Sequence, residues 1–120
     1  MARPATSGGQ LRSRLHFQKR IVADDGYGND VAGPFETVFT RRAQMIARNG
    51  NETVMAARLQ GVQPYTVRIR YSAEAAAVTA DWRIMDARKP GRVFAITAPP
   101  VNVYDENRWV EMMVSEGAPS

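Results

Sequence analysis

Tyr65-Thr66-Val67-Arg68-Ile69-Arg70-Tyr71 decides the fold class. Tyr65, Val67, Ile69 and Tyr71 alternate with Thr66, Arg68 and Arg70, a period of two that places one set on each face of a β-strand. The first face is apolar and belongs to a core; the second is basic and belongs outside.

The pattern recurs on both sides of this segment. In residues 11–22, Leu11, Leu15, Phe17 and Ile21 alternate with Arg12, Arg14, His16, Gln18 and Arg20, which predicts a half-buried strand. ADDGYGNDVAGP (23–34) has three Gly and a Pro among Asp and Asn and is expected to be a loop ending near Pro34. A second strand is expected over 35–43, with Phe35, Thr37 and Phe39 on one face. Over 52–60 the spacing of Met55, Leu59 and Val62 predicts a short helix, capped by Asn51 and stopped at Gly61.

Downstream, the Ala-rich stretch 72–80 fits a helix or a long connection equally. Residues 82–86 and 93–97 read as strands around the turn Lys89-Pro90-Gly91. A last pair is expected at 101–104 and 109–114, across Asp105-Glu106-Asn107-Arg108. The fold class is therefore mainly β, a small antiparallel barrel or sandwich of about six strands with one short helix and long loops. Residues 11–114 form the expected single domain, between Gly-, Pro- and Ser-containing tails at 1–10 and 115–120.

Composition narrows the function. A chain of 120 residues accommodates one core, and any large assembly needs several copies. With no Cys and a single His, disulfides, thiolate sites and His-cluster metal sites are excluded. No segment resembles a signal peptide or a membrane span, so a soluble protein assembled in the cytoplasm is expected. The net charge of +4 rests on fourteen Arg against two Lys. Arg forks suit carboxylates at protein interfaces as well as phosphates.

Catalytic patterns are missing. His16 lies on the polar face of the first strand, and no Ser sits in a nucleophile elbow. Asp25 and Glu36 match the first and twelfth places of a calcium loop, but Tyr27 and Asp30 occupy places that need a ligand and a Gly; Asx turns explain the loop better. Gly26-Tyr27-Gly28 is too short to cradle phosphate. Trp82 and Trp109, with Phe94 and Tyr104, could stack bases, although aromatics in so small a β-domain are usually core. Arg12, Arg14 and Arg20 share one strand face, and Arg68 and Arg70 another; if those strands pair, they make an Arg-rich surface. Contact with acidic neighbours is favoured over DNA, because a dense ring of phosphate-binding Arg would hinder sliding.

An ordered series of segments resembles the phage head-tail joining, or head-completion, family of long-tailed phages, prophages and gene transfer agents. The series comprises LRSRLHFQKR (11–20), Asp25-Gly26-Tyr27-Gly28, RLQGVQPYTVRIR (58–70), Gly91-Arg92-Val93-Phe94-Ala95-Ile96 and DENRWVEM (105–112), and covers about Leu11 to Glu116. It departs at Phe39, where relatives often carry Trp, and in the Ala-rich 72–80. The resemblance implies a non-enzymatic, cofactor-free virion subunit at the head-tail junction, commonly six to a homo-oligomeric ring.

The implied partners are the portal-adaptor protein on the head side, a tail terminator or tail tube protein on the other, and the DNA in the channel, with no membrane. The segment mapping to residues 46–64 would enter that channel as a stopper, with Arg48, Asn49, Gly50, Asn51, Glu52 and Thr53 as its gating run. Arg12, Arg14, Arg20, Arg68 and Arg70 are the interface candidates. A monomeric nucleic-acid-binding β-barrel is the alternative, and an enzyme of unknown chemistry the weaker third.

Overall fold

The alternating segments become strands, and the strands close on one another. In a computed structural model describing residues 8–48 and 52–117, the order is β1 (Ser13–Asp24), β2 (Asp30–Ala47), α1 (Glu52–Leu59), β3 (Gln63–Arg70), α2 (Ala73–Ala76), β4 (Arg83–Asp86), β5 (Val93–Asn102) and β6 (Trp109–Glu116). All pairings are antiparallel and run β1-β2-β3-β6-β5-β4 around a closed barrel. Closure gives the barrel strands a neighbour on either side. The six side chains that alternation sends inward, Leu15, Phe17, Val67, Ile69, Phe94 and Ile96, are all buried in one cluster.

Phe17 stacks on Phe39 with ring centroids 4.7 Å apart, Trp82 leans on Phe39, and Tyr65 meets Phe94 edge-on. Both Trp residues are thus accounted for separately: Trp82 is buried, while Trp109 lies on β6 beneath the Arg70 guanidinium. They form no common stacking platform.

Four expectations need correction. Residues 23–34 are not one long loop: β1 continues to Asp24 and β2 begins at Asp30, leaving a turn at 25–29. The strands tolerate Gly33-Pro34 because the register shifts there, between Arg20 and Val22, and a bulge accommodates a residue that cannot donate to the ladder. A Cβ on Gly33 would lie 2.8 Å from Ile21 Cγ1, so only Gly lets Ile21 fold over the partner strand. A second shift, between Phe17 and Gln18, leaves Val38 as the extra residue on β2.

The expected strands 93–97 and 101–104 are one continuous β5, whose bulges absorb Thr97 and Pro99-Pro100. Ser115 and Glu116, assigned by sequence to a tail, complete β6, where they pair with Pro64 and Gln63. At the other end Gly8–Gln10 forms a 3₁₀ turn and Leu11 is buried.

The helix α1 has its expected bounds but turns a different face inward. Val54 is buried, whereas Met55 and Leu59 are 57% and 89% exposed. Its end is a Schellman motif: Val62 N–H donates to Ala57 O and Gly61 N–H to Arg58 O, with Gly61 at φ +81°. The N-cap assigned to Asn51 lies outside the described residues.

Candidate functional site

Two surfaces carry the residues singled out by the sequence. One is a hairpin arm. After Gln18, β1 has no further pairing with β4, and β2 reaches β3 only from Gln44 onward. Residues 19–38 therefore leave the barrel as a two-stranded ribbon, and the molecule is drawn out to 56 × 35 × 26 Å.

The base of the arm is locked. Arg20 and Arg83 both lie over the Phe35 ring, at 4.4 and 4.2 Å, and Arg83 Nε donates to Gln18 Oε1 at 2.7 Å. Its tip is held by its own acids. Asp24 Oδ1 accepts from the N–H groups of Gly26 and Gly28, and Asp25 Oδ1 from those of Tyr27 and Asn29. The Tyr27 N–H, foremost, holds the Asp25 carboxyl below the usual carboxylate range. These Asx turns occupy the oxygens that a calcium reading would require, and no metal-binding cluster occurs among the described residues.

The second surface is the outer face of β1, β2 and β3. β1 and β3, whose pairing would have joined the two Arg sets directly, are separated by β2. Arg14 nevertheless pairs in register with Arg42, and the Gln44–Arg68 pairing sets Arg42 beside Arg70. Arg41, Arg42, Arg70 and Leu11 line one shallow depression. Three guanidiniums thus run across three strands, and Arg70 stacks over Trp109 at 5.2 Å. Arg42 is the member that the sequence reading missed; its place in the 40, 42, 44 alternation of β2 was the available signal.

The other candidates separate from this row. Arg12 is exposed at the start of the sheet, and its carbonyl accepts from Arg88 Nη1. Arg20 belongs to the arm, where Nη1 donates to Gly33 O. Arg68 lies on the outer face, as expected, yet is only 6% exposed, because it lies against Glu111 of β6 with Nη2–Oε2 2.8 Å and Nε–Oε2 3.2 Å. His16 is half-buried, with Nδ1 2.7 Å from Thr40 Oγ1.

Three further carboxylates outside the arm are also committed to Arg. Glu74 holds Arg41 at 2.6 Å; Glu116 and Asp86 converge on Arg92, at 2.7 and 3.5 Å. The Arg92 hydrogen bond holds the Glu116 carboxyl below its ordinary value, against an opposing effect of burial.

Within the expected gating run, Arg48 N–H donates to Pro64 O, Arg48 Nη1 reaches Met113 Sδ, and Gln63 Nε2 donates to both Arg48 O and Pro64 O. The two ends of the connection are thereby fastened together. Asn49, Gly50 and Asn51 lie outside the described residues; Glu52 is the exposed first residue of α1, followed by Thr53.

The profile of the family described as phage head completion protein matches residues 6–117. No curated protein matches the chain. Among solved structures, a chain from the virion of a native gene transfer agent particle is similar, with TM-score 0.58 and 16% identity over 89% of this chain and 94% of that one. At that identity the likeness concerns the fold.

Proposed function

Because the chain belongs to the phage head completion protein family, whose members are structural virion components and not enzymes, we propose that its copies form a ring at the head-tail junction. The ring joins the portal-adaptor assembly to the tail, in six copies as is common for such proteins, and the β2–β3 connection serves the DNA channel as a stopper. Exposure of α1 is the observation that carries the channel role. Eight residues are too few to hold a helix in water without packing, yet Met55 and Leu59 face outward and only one side of α1 rests on β3. Neighbours around an axis would supply the missing burial, while the Arg48–Pro64 clamp fixes where the segment leaves the barrel.

Electron microscopy of the assembled particle tests position and symmetry together. Deletion of residues 49–51 tests the gate: assembled heads should leak DNA, and heads that retain it would reduce the segment to a connector. Hydrogen exchange should show α1 protected in the particle and weakly protected in the free subunit.

The Arg14, Arg42 and Arg70 row favours one second reading, a monomeric nucleic-acid-binding barrel. Steep salt dependence of DNA binding by the isolated subunit, without ring formation in particles, would select it.

A further inference from the structure

Charge is divided unevenly between the arm and the barrel. Residues 19–38 hold two cations, Lys19 and Arg20, against Asp24, Asp25, Asp30 and Glu36, a net −2 in a chain of +4, so the remainder carries +6. None of the four arm carboxylates has a cationic partner among the described residues, and neither Arg14, Arg42 nor Arg70 has an acidic one. The arm also bears Val22, Val31 and Val38, which are 73%, 42% and 51% exposed, on a ribbon with both edges unpaired.

Within the barrel the ion pairs match acid to base. The arm's four carboxylates are unmatched, and a line of unmatched Arg lies on the outer face of β1–β3.

We propose that the β1–β2 arm of one copy docks on the Arg14–Arg42–Arg70 face of the next. The two surfaces are different parts of the chain, so the contact is head-to-tail, and its repetition closes a ring when the rotation between copies permits. The carboxylates of the arm meet the guanidinium row, and the exposed valines of the ribbon lose water against the neighbour. This contact rests on the ring reading above and supplies the joint between its copies.

Charge exchange in assembled particles tests the joint. Reversal of the arm carboxylates that hold no turn (Asp30→Arg, Glu36→Arg) and reversal on the barrel (Arg14→Glu, Arg42→Glu, Arg70→Glu) should each lower incorporation by about tenfold or more, since like charges facing across an interface cost several kcal/mol. Both reversals in one chain should restore incorporation. Thermal unfolding of each isolated variant checks that the barrel still folds.

The absence of Cys supplies a second readout. Val31→Cys combined with Arg42→Cys, treated in particles with a short bis-maleimide, should give a ladder of multimers, whereas either single variant should stay monomeric. A ring whose copy number ignores both reversals would overturn the arm contact and leave the ring standing. Particles with no ring at all would instead remove the ring reading. Arm reversal without rescue by barrel reversal would assign the arm to another protein, and dimers from Val31→Cys alone would indicate a symmetric arm-to-arm contact; either result overturns the proposal.

Discussion

β1 and β2 run through two environments within one pair of strands. Up to Phe17, and again from Phe39, each inward side chain meets the core: Leu15, Phe17, Phe39 and Ala43 are 6% exposed or less. Past the Val38 bulge the same strands have no further sheet neighbour, and Ile21, Val22 and Val31 face solvent. A two-stranded ribbon is marginal in water unless something covers it. The barrel encloses a continuous core and pairs Arg41, Arg68 and Arg92 with acids, whereas in the arm Asp24 and Asp25 bond their own turn and the valines stay exposed.

The largest effect on folding should come from the barrel interior. Ile69→Ala should cost ~2–5 kcal/mol, the range for deleting a fully buried aliphatic side chain. Ile69 is 0% exposed in the central cluster. Denaturant unfolding reads this directly, and a loss no larger than that of an arm substitution would erase the distinction between the two regions.

Next is the ion pair hidden on the barrel's outer side. Glu111→Ala removes the carboxylate that faces the Arg68 guanidinium, whose side chain is 7% exposed, and should cost about 1–3 kcal/mol, less than for a fully buried pair because Glu111 itself is 23% exposed. The double variant Arg68→Met with Glu111→Leu should recover most of that loss in the same unfolding assay, since removal of both charges leaves neither one desolvated and unpaired.

These two sites also mark how far the sequence could be read. Period-two alternation located Ile69 and its five companions in the core without error, because a slip by one residue would have turned every one of them outward. The same rule placed Arg68 on the outer face, which is correct, but it could not tell that Glu111 would pair with it across β3 and β6, a contact 43 residues away. Bulges account for most of the rest. Val38 and Gly33-Pro34 interrupt the alternation of β2, so a continuous hairpin read as a loop followed by a strand. The Arg row was half legible: Arg14 and Arg70 were identified, while Arg42, which joins them, depended on knowing that β2 lies between β1 and β3. In α1 the stop at Gly61 was legible from local chemistry, but the apolar spacing did not single out Val54, the residue that is buried, over Met55.

Acid should weaken the barrel through Glu116. A carboxylate whose pKa is lowered by folding stabilises fully above its unfolded value, and that stability is lost as pH falls through the folded value. The lowered value comes chiefly from the Arg92 hydrogen bond. Glu116→Gln should therefore reduce stability at neutral pH, by roughly 1 kcal/mol or less for so solvent-accessible a pair, and should flatten the acid side of the stability profile. Urea midpoints that fall in parallel for both proteins across the acidic range would place the titrating group elsewhere.

The smallest effect on folding belongs to the arm. Val22→Ser with Val31→Ser removes two exposed apolar side chains that no barrel residue needs, and surface changes of this kind usually shift stability by about 0.5 kcal/mol or less. The unfolding midpoint of the subunit should hardly move. Incorporation into particles should nevertheless fall, because these valines contribute only when a neighbouring copy excludes water from them. Circular dichroism and particle incorporation, measured on one preparation, separate the two outcomes: a stability loss approaching that of Ile69→Ala would mean that the arm is packed within its own chain, and unchanged incorporation would mean that it is not covered in the particle.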